Sequence, residues 1–453
     1  MFLDCSFVLP AAARATYAGV SVADLDGDGE FEFFVASRGA ANRILKYQHG
    51  KFFDTAPPVV ADARRDTLGA VAGDFDGDGR EELYLLNGEP FSDRLFDCQP
   101  DGRWADLFDQ PRYRQARNAH ASQSAAVLDR RGRGRYSFLV ASADHPLRLF
   151  ELSSANTICD LAPALDLHHA QAGSGLVIGP ISSDRPDIFC VNEGGPNLLY
   201  RNTGVGTFLE VAARHGLRDS AERSRGAMVL DANGDGRLDV CFGNRDGPHR
   251  LFVRESNCKF RNVATPAMAL PSEVQNVVAA DFDNDGFEEL LFLNCGESNR
   301  LFRRSANPDG YWQLADPGTL DSWGLSSGGA AVADIDGDGR LELLVSNGDS
   351  GELPLQLFKW PEVGNAWLRV MPMTRFGAPA RGAVVRLIAA GRTQIRAICS
   401  GSGYRCQMEP VAHFGLGRCD EVEQIQVTWP DDTTAVIDRP ATNRTLVVLY
   451  PGS

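Results

Sequence analysis

Short apolar runs of four to seven residues, separated by polar turns, fill the first 360 positions of the chain. They are rich in β-branched and aromatic residues, so they predict strands and not helices. The runs come in a fixed order. A small-residue run leads, as in Gly69-Ala70-Val71-Ala72-Gly73. An acidic turn follows, then a bulkier run such as Glu82-Leu83-Tyr84-Leu85-Leu86. A third run carries Leu-Phe: Arg94-Leu95-Phe96, Arg148-Leu149-Phe150, Arg250-Leu251-Phe252, Arg300-Leu301-Phe302. A fourth holds an aromatic before a polar stretch, as in Lys259-Phe260-Arg261-Asn262-Val263. The order then starts again.

The acidic turn is the most regular part of the repeat. It begins at Asp24, Asp74, Asp231, Asp281 and Asp334. Positions 1, 3, 5 and 9 carry oxygen side chains in all five copies: Asp24, Asp26, Asp28, Glu32; Asp74, Asp76, Asp78, Glu82; Asp231, Asn233, Asp235, Asp239; Asp281, Asp283, Asp285, Glu289; Asp334, Asp336, Asp338, Glu342. Position 6 is always Gly, which permits the tight bend needed to aim several carboxylates at one point. Such crowding calls for a cation, and calcium takes six to eight oxygen ligands. The pattern predicts about five calcium ions, with position 7 (Glu30, Arg80, Arg237, Phe287, Arg340) contributing its backbone carbonyl. An EF-hand would need Glu at position 12 and flanking helices. Position 12 here is Val35, Leu85, Phe242, Phe292 or Val345, inside strand-like runs. The alternative is a bare Asp-Gly turn, which five filled copies disfavour.

The gap between 74 and 231 accommodates two worn copies, one at Asp129 and one near Gly179, so the starts fall every 50 to 55 residues. In the Asp129 copy Arg131 and Arg133 replace the ligands, and a guanidinium there can fill the place of the metal. Four short strands per period is the signature of a β-propeller blade. The expected fold is all-β: a seven-bladed propeller over residues 1–361 and a small β domain over 362–453. The last period lacks a fourth strand, and residues 2–9 have that pattern, so they are expected to close blade seven, since an open ring leaves unpaired edges.

The formal charge of −15 argues against nucleic acid and anionic membranes as partners. Nineteen ligand carboxylates in the five loops account for it, so the acidity reads as metal capacity. There is no run of about 18 apolar residues, so no membrane-spanning helix is expected. Met1-Phe2-Leu3-Asp4-Cys5 has neither the basic nor the apolar stretch of a signal peptide. Of the ten cysteines, Cys399 and Cys406 flank Ser-Gly-Ser-Gly-Tyr-Arg and are either a hairpin bridge or two thiols. Asn443 heads the N-glycosylation sequon. His168-His169 reads as a solvated pair before a zinc site, and His413 as a packed histidine before a catalytic one. Arg130, Arg131, Arg133 and Arg135 form either a metal-free loop or a patch for a glycosaminoglycan. There is no His-Glu-x-x-His or phosphate-binding motif.

The loop at hairpin spacing resembles the FG-GAP repeats of integrin α-subunit propellers. Trp367-Leu368-Arg369-Val370, Arg375-Phe376-Gly377-Ala378, Gly401-Ser402-Gly403-Tyr404, Val411-Ala412-His413-Phe414-Gly415-Leu416-Gly417 and Val427-Thr428-Trp429-Pro430-Asp431 are similar to the ASPIC/UnbV domain of the cartilage acidic protein 1 family. This resemblance implies a secreted, calcium-binding glycoprotein of the extracellular matrix or cell surface. It would act as a scaffold for an extracellular protein partner, and as a receptor antagonist in axon guidance. The alternative is an enzyme that uses the propeller channel on extracellular glycans. A channel lined with Gly and Ala would favour the scaffold.

Overall fold

The structure is a computed structural model that describes residues 1–11, 15–142, 145–167, 173–304, 312–321, 328–347 and 352–452. His168 and His169 lie outside the described residues. Seven four-stranded antiparallel sheets follow one another along the chain. The first is Thr16–Ala23, Glu32–Arg38, Arg43–Gln48 and Lys51–Asp54. The last is Ala330–Ala333, Glu342–Val345, Gln356–Lys359 and, from the other end of the chain, Leu3–Asp4. Leu3 pairs with Lys359 and Asp4 with Phe358. Beyond Asp4 the segment leaves the sheet as a short 3-10 turn, Ser6–Val8.

Successive first strands lie against one another, and the last lies against the first, so the β-propeller ring closes. The first strands are buried on both faces, as in Thr67–Gly73, which is why they read as continuous small apolar runs without alternation. Aromatic side chains fill the space between neighbouring sheets. Tyr84 of the second sheet stacks on Phe138 of the third with centroids 5.2 Å apart.

Residues 366–448 form two further sheets. Ala366–Pro372 pairs with Ala412–Gly417 and, in parallel, with Thr445–Val448. Arg392–Ala397, Val384–Ala389, Gln424–Thr428 and Thr434–Asp438 form the second. Leu368, Val385, Phe414, Ile425 and Trp429 share the core between them.

The segment between these sheets, residues 399–411, enters the ring. Gln407 exchanges backbone hydrogen bonds with Val20 and Val22 (3.2 and 2.9 Å), and its amide bonds both polar groups of Ala72 (2.8 and 3.0 Å). Val127 donates to Ser400 O, Gly403 to Ala227 O, Tyr404 to Asn276 Oδ1 and Glu409 to Val332 O. The segment thus bonds to the first strands of six of the seven sheets. A Cβ at Gly19 or Gly69 would collide with Arg405, so these glycines permit the close approach. The small-residue wall seats a plug contributed by the same chain.

Candidate metal loops

Each acidic turn joins the first and second strands of a sheet and is built the same way. The position 1 carboxylate accepts the position 6 amide: Gly29 to Asp24 (2.9 Å), Gly79 to Asp74 (3.1 Å), Gly236 to Asp231 (2.9 Å), Gly286 to Asp281 (2.8 Å), Gly339 to Asp334 (3.0 Å). The position 9 carboxylate accepts the amide of position 2, as Phe75 to Glu82 at 2.6 Å and Ala232 to Asp239 at 2.9 Å. The position 5 carboxylate accepts the amide of position 7 in Glu30, Arg80, Arg237, Phe287 and Arg340. Position 4 is also left-handed, with φ of 76° at Gly27 and 57° at Asn284. Asn tolerates that region, so one copy dispenses with glycine.

Four loops gather three carboxylates whose oxygens lie within 4.8 Å of one another: Asp24, Asp26, Glu32; Asp74, Asp76, Asp78; Asp281, Asp283, Asp285; Asp334, Asp336, Glu342. The 231 loop differs because Asn233 supplies an amide, whose nitrogen donates to Asp235 at 2.9 Å. The donor set is all oxygen, which fits a hard cation such as calcium. Burial also makes the charges costly. It pushes Glu32, Asp239 and Glu342 up to about 8 and Asp74 up to about 7, and raises Glu82 and Glu289 well above the usual range. A cation beside them offsets that cost.

Three loops already have one, from a strand the sequence reading did not connect to them. Lys46 Nζ lies 2.6 Å from Asp26, 2.6 Å from Asp28 and 3.1 Å from Glu32. Lys359 pairs with Asp336 (2.7 Å), Asp338 (3.0 Å) and Glu342. Arg303 pairs with Asp283, Asp285 (3.6 Å) and Glu289 (3.3 Å). Burial alone would depress the Lys46 ammonium, but Asp26, Asp28 and Glu32 outweigh it and hold the group well above its ordinary value. All three cations follow the residue at the Phe position of the third-strand pattern (Leu45, Phe302 and Phe358), a signal visible in the sequence. At the second sheet that position is Asp97, which burial, then Asp76 and Asp78, push up to about 6.

In the worn Asp129 loop, the expected stand-ins Arg131 and Arg133 point to solvent. The buried guanidinium belongs to Arg130, which pairs with Glu151 at 2.8 Å and donates to Gly206 O. Position 2 turns inward here because Glu151, on the third strand, is an anion where the loops at 24, 281 and 334 have a cation.

The C-terminal sheets sit on the loop side of the ring. Gly415 N–H donates to Asp281 (3.0 Å), Arg369 pairs with Asp334 (3.1 Å), and Arg386 donates to Gly236 O (2.7 Å). His413, 7% exposed, bonds Asn284 at 2.6 Å, the packed role expected for it. Arg381, fully buried, forms a two-pronged pair with Glu81 (2.5 and 3.2 Å) and donates to Val22 O, Cys399 O and Met408 O. Cys399 and Cys406 are free thiols. Cys406 donates to Tyr404 O and Cys399 accepts from Met408 N–H.

The ASPIC and UnbV family matches residues 374–453, and the FG-GAP-like repeat matches 10–85, 183–242, 231–292 and 281–345. Over 477 residues the chain is 40% identical to cartilage acidic protein 1 of Xenopus tropicalis, covering 96% of this chain and 73% of that one. The chain belongs to the cartilage acidic protein 1 family. The mouse member is 40% identical over 96% of this chain and 74% of its own. The human member is 39% identical, with 72% of its length covered. Among solved structures, the crystal structure of BBS1N in complex with ARL6DN, soaked with mercury, aligns over 80% of this chain and 98% of that one. Its TM-score is 0.50 at 11% identity, a likeness of fold alone. Among the described residues no helix is long and apolar enough to cross a membrane.

Proposed function

We propose that the chain is a secreted, calcium-binding protein of the extracellular matrix or cell surface. Its body is a rigid scaffold for another extracellular protein, with residues 1–361 as the propeller and 362–453 as a cap. The carrying observation is the set of oxygen-only clusters, each with three carboxylates inside 4.8 Å, on loops of one construction. The residues that would hold the ion are positions 1, 3, 5 and 9 of each loop with the position 7 carbonyl. When bound, calcium supplies the positive charge that the buried carboxylates require. The names of the relatives support the extracellular setting, and receptor antagonism in axon guidance is the member role the resemblance implies. The plug supports a non-catalytic reading, because the small-residue wall on which a channel enzyme would build its site is engaged by residues 399–411. Exposed Arg131 and Arg133 are where a glycosaminoglycan would bind as a second partner.

The test is a thermal melt in millimolar calcium and in excess chelator. One site held at ~100 times its Kd adds about 2.7 kcal/mol. Chelation is expected to lower the transition, and calcium to restore it better than magnesium. An unchanged transition overturns the reading.

A further inference from the structure

Every repeat places one third-strand side chain directly across from the ninth loop position. Lys359 pairs in register with Glu342. Leu45, Phe96, Phe252 and Phe302 pair with Phe33, Leu83, Val240 and Leu290. The next residues in line are Lys46 across from Glu32, Asp97 from Glu82, Val253 from Asp239 and Arg303 from Glu289. This one position therefore varies from cation to neutral to anion around the ring, while the loops themselves stay alike.

Where it is a cation, it contacts positions 3, 5 and 9, which are three of the four side chains a metal would use. An ammonium or guanidinium and a divalent ion compete there for the same oxygens. The 74 loop is the opposite case. Among the described residues no Lys, Arg or His pairs within 4.0 Å of Asp74, Asp76, Asp78, Glu82 or Asp97, in contrast to the loops at 24, 281 and 334. Glu82 is 1% exposed, and one of its oxygens accepts Phe75 N–H. Arg135 lies at the loop edge against Gly77 and the Phe376 ring, and Arg80 against Gly27. Asp74, Asp76 and Asp78 thus converge with no third-strand cation paired to them, whereas at the matched position of three sister loops the chain supplies one.

We propose that the residue across from loop position 9 sets each loop's demand for metal. The 74 loop, with Asp97 as an additional ligand, is the obligate divalent-cation site. Lys46, Arg303 and Lys359 are resident cations that keep the loops at 24, 281 and 334 charge-compensated without metal and hold their calcium affinity down. This rests on the calcium reading above and divides its sites into two classes.

The test is calorimetric titration of the full chain with calcium, alone and as Asp97→Asn, Lys46→Met and Arg303→Met. Met keeps part of the aliphatic stem and removes the charge. The intact protein is expected to show a tight class that does not include the loops at 24, 281 and 334. D97N weakens that class about tenfold or more, equivalent to about 1.4 kcal/mol. K46M and R303M each add one tight site. Should either variant be unstable without metal, its melting temperature gains a calcium-dependent rise larger than that of the parent, which supports the same conclusion. Five equivalent sites in the parent overturn this proposal and leave calcium binding intact. So does an unchanged titration in K46M and R303M. Absence of calcium uptake by the parent and by K46M overturns both readings.

Discussion

Replacing Arg381 by Met tests whether the cap is anchored where the structure places the anchor. The side chain is fully buried and bridges three parts of the molecule: Glu81 beside the 74 loop, Val22 O in the first sheet, and Cys399 O and Met408 O at the two ends of the plug. Met fills much of the same volume but removes every donor. Glu81, whose side chain is 1% exposed, then keeps its charge without a partner. Breaking a buried pair in this way costs roughly 3–5 kcal/mol. The three carbonyls that lose a donor add about 1 kcal/mol each at most, since water can reach some of them once the plug loosens. The expected loss is therefore at least about 3 kcal/mol. Urea unfolding followed by tryptophan fluorescence measures it, and limited proteolysis reports whether residues 399–411 become accessible. A double-mutant cycle with Glu81→Gln should return a coupling on the order of 2 kcal/mol. A loss below about 1 kcal/mol, or additive single mutants, would refute the anchoring argument.

Two glycines at the same loop position separate backbone strain from docking. Gly29 has φ 89° with open space around its Cβ direction, so Gly29→Ala should cost only the left-handed penalty, about 1–2 kcal/mol. At Gly339, φ is 82° and a Cβ would run into the Trp367 indole of the cap, so Gly339→Ala should cost at least about 2 kcal/mol more, read by the same urea titration. His249 gives a pH signature. Burial first, then the charges of Arg300 and Arg250, lower it to about 4, and its ring accepts Asn244 N–H. An unfolded histidine titrates near 6.5, so the unfolded chain binds the extra proton first. The contribution is complete above about pH 6.5 and is lost as pH falls toward 4, on the order of 3 kcal/mol in all. In the sixth sheet Asn299 accepts the matching amide of Asn294, so His249→Asn should fold and flatten the slope relative to the parent in acid melts. An unchanged slope sinks this assignment.

The loops were legible because their chemistry is local. Oxygens at fixed spacing and glycine at the bend need only nine consecutive residues, and the strands on either side announce themselves by composition. What lay beyond reading depends on register. Lys46 reaches the 24 loop only because Phe33 pairs with Leu45, a fact about two strands and not about either one. Arg130 was passed over for Arg131 and Arg133 for the same reason: Glu151, its partner, arrives from the third strand. The glycines in Gly401-Ser402-Gly403 read as a hairpin turn, and they do form a tight bend. Their second role, letting a backbone approach Ala126 and Asn276, involves residues more than a hundred positions away. Asn284 in the left-handed position shows the local limit, since the rule was framed on position 6 and position 4 obeys it too.

The seating of the cap changes what the loops are for. A loop that ended in solvent could be tightened by metal only to present itself. Here the position 1 carboxylates Asp281 and Asp334 are shared with Gly415 and Arg369 of the cap, and the Gly236 carbonyl holds Arg386. The ring itself is held by apolar packing between sheets, which a chelator does not touch. Loss of metal would therefore act first on the platform beneath the cap, and through Arg381 on the plug, before it acts on the ring. The loop at 24 is the exception, exposed from Asp26 to Glu30 and compensated by Lys46. Among the five acidic loops it has the longest exposed stretch.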